Sequence, residues 1–127
     1  MVDILKQSTA EKYINMSTNY MSANRIMWPG DYIQSNNGKF KAIFQDDGNF
    51  VVYTDGRAIW DSKTYNKGGI QLIMQADANL VIYTKDHPIW STSTGGRGNA
   101  NVLPFLRLTD DGTLVLTLGG GVIWKSK

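Results

Sequence analysis

Two stretches of this chain repeat the same set of polar side chains at the same spacing. Gln45, Asp47, Asn49, Val51 and Tyr53 recur as Gln75, Asp77, Asn79, Val81 and Tyr83, thirty residues on. A third stretch, a further thirty-four residues along, keeps the acid and the valine but puts threonine at the other positions: Thr109, Asp111, Thr113, Val115 and Thr117. The full set suits a neutral polyol. Neighbouring sugar hydroxyls each donate and accept, a carboxylate accepts, carboxamides do both, and a phenol does either. Valine can lie against the C–H patch of a ring. The set holds no nucleophile with an adjacent base. A purely structural reading also exists, in which Asp and Asn shape a turn while Gln and Tyr sit on a strand surface. It accounts for Asp47-Gly48-Asn49 but not for five residue types recurring together.

Other chemistries find little support. With no cysteine there is no disulfide, iron–sulfur cluster, thiolate zinc site or cysteine nucleophile. His87 is the single histidine and precedes Pro88 in a turn, so no metal site is expected. The pairs Asp46/Asp47 and Asp110/Asp111 resemble the two carboxylates of a glycosidase. Adjacent residues on a strand point to opposite faces, however, and Asp-Asp-Gly is a turn sequence, so no catalytic residue is assigned. Thirteen basic and eleven acidic residues give a net charge of +2, which fits a neutral ligand and no nucleic acid. No apolar run approaches the roughly 18 residues of a membrane span, so no membrane insertion is expected.

The elements that position these residues are also repeated. Each copy is followed by a short turn and an Ile-Trp pair, Ile59-Trp60, Ile89-Trp90 and Ile123-Trp124, at the same two offsets. Three units therefore span roughly residues 30–62, 63–96 and 97–126, the third with a four-residue insertion between Gly95 and Asn101. Runs of Val, Ile, Phe, Tyr and Trp bounded by Gly and Asp read as strands, and Asp55-Gly56 and Gly119-Gly120-Gly121 as hairpin turns. Asn79, Val81 and Tyr83 are expected on one face of a strand, with Leu80 and Ile82 on the core face. Three such units suggest an all-β body of pseudo-threefold symmetry with the three tryptophans packed at its centre. At 127 residues one domain is expected, here residues 24–127, with residues 1–23 as an N-terminal arm.

Gln-x-Asp-x-Asn-x-Val-x-Tyr, complete at 45–53 and 75–83, resembles the signature of the bulb-type, snowdrop-like monocot mannose-binding lectins. Pro88 to Gly96, and Ser35 to Phe44 leading into the first copy, are similar to the family as well, closest to the lily-type lectins of fish. The resemblance covers residues 24–126. It implies a β-prism of the second type, with three four-stranded antiparallel sheets; a β-trefoil is the alternative, though its repeats are usually longer. It further implies mannose binding: Asp47 and Asn49, or Asp77 and Asn79, at the axial 2-hydroxyl; Gln45 and Gln75 at the 3-hydroxyl; Tyr53 and Tyr83 at the 4-hydroxyl; Val51 and Val81 against the ring.

The chain departs from the family pattern at two places. Many members have a cysteine pair where Ile73 and Ala78 stand here. The third copy, Thr109, Asp111, Thr113, Val115 and Thr117, is degenerate and expected to be dead for mannose, because threonine is too short to replace Gln or Tyr. The resemblance also implies a homodimer, formed in many members by exchange of the C-terminal strand around Val122-Ile123-Trp124, and a role in defence. A bacteriocin-like toxin or a cytoskeletal scaffold on the same fold is the competing reading. Without a secretory signal or cysteine, a cytoplasmic or non-classically secreted protein is expected. Asn15-Met16-Ser17 is a glycosylation sequon.

Overall fold

The computed structural model describes residues 18–127. The greater part of the expected arm and the Asn15-Met16-Ser17 sequon lie outside the described residues. Twelve strands follow in order: β1 (Tyr20–Ser22), β2 (Ile26–Met27), β3 (Tyr32–Gln34), β4 (Lys41–Phe44), β5 (Phe50–Thr54), β6 (Arg57–Asp61), β7 (Gln71–Met74), β8 (Leu80–Tyr83), β9 (Pro88–Ser91), β10 (Pro104–Leu108), β11 (Leu114–Leu118) and β12 (Gly121–Lys125). They form three four-stranded antiparallel sheets, as expected: β3-β4-β5-β6, β2-β7-β8-β9 and β1-β10-β11-β12.

The sheets do not coincide with the sequence units. Only the first sheet is continuous in sequence. The other two each take their fourth strand from the segment before the repeats, β2 and β1 respectively. Residues 20–22, placed in the expected arm, form one of these strands. Tyr20, Met21 and Ser22 pair with Arg107, Leu106 and Phe105, and Leu108 N donates to Asn19 O at 2.7 Å. Met21, 1% exposed, joins the core. A three-residue strand with one buried apolar side chain carries too little periodicity to be read in advance.

Alternation along the strands builds the core as expected. Phe44, Phe50, Val52, Leu72, Leu80, Ile82, Leu106, Leu114 and Leu116 are fully buried, each contributing about 1.5–3 kcal/mol by burial. A bulge recurs at one place in every sheet. Val52 pairs with Trp60 and Tyr53 with Ala58, so Ile59 is the extra residue. Ile89 and Ile123 take the same place between Ile82/Tyr83 and Leu116/Thr117. The extra residue locally re-aims the strand, which explains why an isoleucine precedes each tryptophan. Trp60, Trp90 and Trp124 meet edge to face, with centroids 5.8–6.1 Å apart around a triangle. Such contacts favour the positive ring edge against a negative face and add about 0.5–1.5 kcal/mol per pair.

Candidate functional site

Each copy of the motif begins as a tight turn rather than as a strand. Gln45 N donates to Asn49 O at 2.9 Å and Gly48 N to Gln45 O at 2.9 Å; Gln75, Ala78 and Asn79 repeat this at 2.9 and 3.0 Å. The turn needs a positive φ at its fourth residue, +81° at Gly48 and +78° at Ala78. The strands start only at Phe50 and Leu80. Gln and Asp are thus turn residues, not members of the strand face, and the turn explains how side chains of one short segment converge. Ala78 is fully buried and Ile73 partly so, at the places where cysteines were expected from the family pattern.

In the first copy, Gln45 Nε2 donates to both oxygens of Asp47, at 3.1 and 3.0 Å, and Asn49 N donates to Asp47 Oδ1 at 2.9 Å. Tyr53 OH donates to Gln45 Oε1. Phenol, carboxamide and carboxylate therefore form one chain of hydrogen bonds. In the second copy Gln75 Nε2 donates to Tyr83 OH, and the Asp77 carboxylate accepts, among the described residues, only from Asn79 N, at 3.0 Å. A carboxylate offers about four acceptor positions. Asp47 keeps roughly one of them open and Asp77 roughly three. Asp47 is half-buried and Asp77 exposed, so the second site is the more open.

The asparagines do more than face outward. Asn49, 6% exposed, accepts at Oδ1 from Ser62 Oγ at 2.9 Å and Thr64 N at 3.1 Å, and donates from Nδ2 to Asp61 Oδ2 at 2.9 Å. Asn79 Oδ1 accepts from Thr94 N at 3.2 Å and Thr92 Oγ1 at 3.3 Å. Ser91 stands where Asp61 does, and Asn79 Nδ2 has no protein partner among the described residues. Each asparagine thus ties the turn to the segment after the tryptophan strand; Asn79 leaves its whole amino group as a polar handle, and Asn49 one of its two N–H groups. These supporting residues, Asp61, Ser62, Thr64, Thr92 and Thr94, were not singled out from sequence. Their signal was present, because Ser62/Thr92 and Thr64/Thr94 keep the offset of the motif.

Val51 and Val81 lie between the polar groups but are each 3% exposed, so only a sliver of either faces outward. The segment between the second and third units packs against the backbone of the second turn, with Gly98 beside Ala76 O. Arg97 N donates to Asp77 O at 2.9 Å, the place taken by Asn66 N on Asp47 O at 2.8 Å in the first.

The third copy keeps the turn but not the chain of hydrogen bonds. Thr109 Oγ1 donates to Asp111 Oδ1, and Thr113 N donates to Thr109 Oγ1 at 3.1 Å and to Asp111 Oδ1 at 3.3 Å. The Thr109 hydroxyl, followed by the other hydrogen bonds from Thr113, holds the Asp111 carboxyl below its ordinary range. Thr117 Oγ1 turns to Phe105 O at 3.5 Å in its own sheet and does not reach Thr109. Val115 is 5% exposed, and Lys125 replaces Asp61 and Ser91.

The chain is similar to the B-type lectin plumieribetin of Scorpaena plumieri, with 46% identity over 108 residues, covering 85% of this chain and 94% of that protein. Among solved structures it is similar to the monomeric monocot mannose-binding lectins of Gastrodia elata, with TM-score 0.78 and 30% identity over 86% of this chain and 96% of that one. It is also similar to the mannose-specific agglutinin of snowdrop, Galanthus nivalis, solved with methyl-α-D-mannoside, with TM-score 0.70 and 30% identity over 78% and 88% of the two chains. No protein-family model matches.

Proposed function

Because the chain belongs to the bulb-type (B-type) lectin family, we propose that it is a non-catalytic lectin that binds D-mannose and mannose-rich glycans at two sites per chain. The observation that carries this reading is the convergence of Gln, Asp, Asn and Tyr on two turns. There the carboxylates retain open lone pairs and the polar side chains are already held in place. Such preorganisation lowers the entropy lost on binding. Asp47 or Asp77, with the asparagine amino group, meets the axial 2-hydroxyl; Gln45 or Gln75 the 3-hydroxyl; Tyr53 or Tyr83 the 4-hydroxyl. The valines offer only a small contact to the ring. An epimer lacking the axial hydroxyl would leave these polar groups unpaired, which is the basis of discrimination.

Four or five hydrogen bonds, each worth about 0.5–1.5 kcal/mol net, give roughly millimolar affinity for a monosaccharide, about −4 kcal/mol. Useful avidity comes from multiplicity, which adds about 10²–10⁴-fold when several sites engage one glycan. Two sites per chain and a homodimer supply it. The edge strand β12, with Val122 54% exposed, is the element by which the chains would associate. Light scattering at twice the 14.2 kDa of one chain supports the dimer; the monomer mass rejects it. The third copy lacks the Gln and Tyr groups and is inactive toward mannose.

The test is a glycan array on wild type beside the double variant Gln45→Ala/Gln75→Ala. Among the described residues the side chains of these glutamines bond only to site side chains, and the turns are closed by backbone bonds that alanine keeps. Binding of mannose-rich glycans is expected to fall at least tenfold. A double variant that binds as wild type does removes the site assignment. Hydrolysis of an aryl mannoside or of mannan by the wild type would overturn the non-catalytic reading.

A further inference from the structure

Beside the first site, and sharing Gln45 and Tyr53 with it, lies an open hollow of about 400 Å³ over strands β3, β4 and β5. Its volume is in the range of ligand clefts. Tyr53 pairs across the sheet with Lys41, and Lys41 with Gln34, so the hollow starts at the Tyr53 end of the site and crosses two strand spacings, roughly 10 Å. Lys41 and Lys39 line it as cations, with Asp55 as the acid. Lys41 is not loose: its Nζ sits over the Tyr32 ring, 4.2 Å from the centroid. Among the described residues no carboxylate comes within ion-pair distance of it. Gln34 is likewise held, Nε2 donating to Gly38 O at 3.3 Å.

Resting on the mannose reading of the first site, we propose that this hollow takes the saccharide residue next to the bound mannose and favours one carrying a negative charge, a uronate, sulfate or phosphate. A held ammonium beside an open, polar, sugar-sized hollow attracts an anionic substituent without first having to be ordered. Gln34 Oε1, without a protein partner among the described residues, can accept from a hydroxyl of the same residue. The second sheet differs here, with Gln71 opposite Tyr83 where Lys41 is opposite Tyr53. The preference therefore belongs to the first site alone.

The test uses the full chain carrying Asp77→Asn and Gln75→Ala, which leaves the first site to be read, titrated by NMR with four probes. These are methyl α-mannoside, a neutral mannosyl-glucose disaccharide, the same disaccharide with glucuronate as the second residue, and the same with a sulfate or phosphate ester there. At low salt the charged disaccharides are expected to bind about fivefold tighter than the neutral one, with the ratio shrinking as salt screens the contact. Lys41→Gln is expected to bring the ratio to about one. The uronate and ester arms show which anion the hollow fits. Equal affinity for neutral and charged disaccharides, or a ratio that survives Lys41→Gln, overturns the inference while methyl mannoside binding persists. Loss of methyl mannoside binding in this background overturns the mannose reading of the first site and the inference with it.

Discussion

Asn49 donates from Nδ2 to the carboxylate of Asp61 at 2.9 Å, whereas Asn79, thirty residues on, has Ser91 in the place of that aspartate and keeps its amino group free of protein partners among the described residues. Two motifs identical at every defining position are therefore different sites. The first is more buried and more tightly wired; the second is more open.

The two asparagines should respond unequally to the same change. Asn49→Asp places a second carboxylate oxygen against Asp61 at a position 6% exposed and should cost about 2–3 kcal/mol of stability at neutral pH. Asn79→Asp removes an amino group without a protein partner among the described residues and should cost about 1 kcal/mol or less. Urea unfolding of both variants checks this. Equal losses would mean that the Asp61 contact does not matter.

The aromatic triangle should carry a large share of the stability. Trp90 touches both Trp60 and Trp124 at about 6 Å. Trp90→Ala should cost about 3 kcal/mol or more, and Trp90→Phe should recover part of it. Denaturant midpoints with unchanged slopes are the measurement. A loss under 1 kcal/mol for the alanine variant would place the core's stability elsewhere.

The insertion should act on the second site through one glycine. A Cβ at Gly98 would stand 1.9 Å from Ala76 O and 3.5 Å from Ala78 N, so no side chain fits unless the loop moves. Gly98→Val should push residues 95–101 off the turn, release the Arg97 N contact with Asp77 O, and weaken mannose binding at the second site several-fold. The first site should be unaffected. Residue-resolved NMR titration separates the two, and an unchanged second site would show that the loop plays no part.

The third site should show its own acidity. Thr109 is the first cause of the lowered Asp111 pKa. Thr109→Val should raise that pKa toward the ordinary carboxylate value, as read by carboxyl NMR titration. The sign follows from linkage. A depressed folded-state pKa stabilises the fold above the unfolded value, and the contribution is lost as pH falls through the folded value. The stability gap between wild type and Thr109→Val should therefore be larger at neutral pH than in acid, where only the pH-independent loss of the Thr113 N bond to Thr109 Oγ1 remains. A gap that does not narrow as pH falls would contradict this.

Much of this was legible before any coordinates. Repetition made it so: the same offset carried motif, Ile-Trp pair and core residues, and three copies of a weak strand signal amount to a strong one. The strands β1 and β2 were not legible, because two or three residues with one buried methionine show no period. The turn at Asp46-Asp47-Gly48 was legible from its residue types, but the convergence of the Gln45 and Asp47 side chains within it needed the backbone hydrogen bonds of the turn. The pairing of Asn49 with Asp61 needed geometry, since the residue at that place varies between copies, as Asp61, Ser91 and Lys125. The small exposure of Val51 and Val81 also needed packing, because a valine on a nominal outer face can be covered by its neighbours.

The most direct measurement is a residue-resolved NMR titration of the wild type with methyl α-mannoside into the millimolar range. Saturable shifts are expected in two clusters, at residues 45–53 and 75–83, with none at 109–117. Shifts at the third turn comparable to the other two, or no saturable shift at either intact turn, would contradict it.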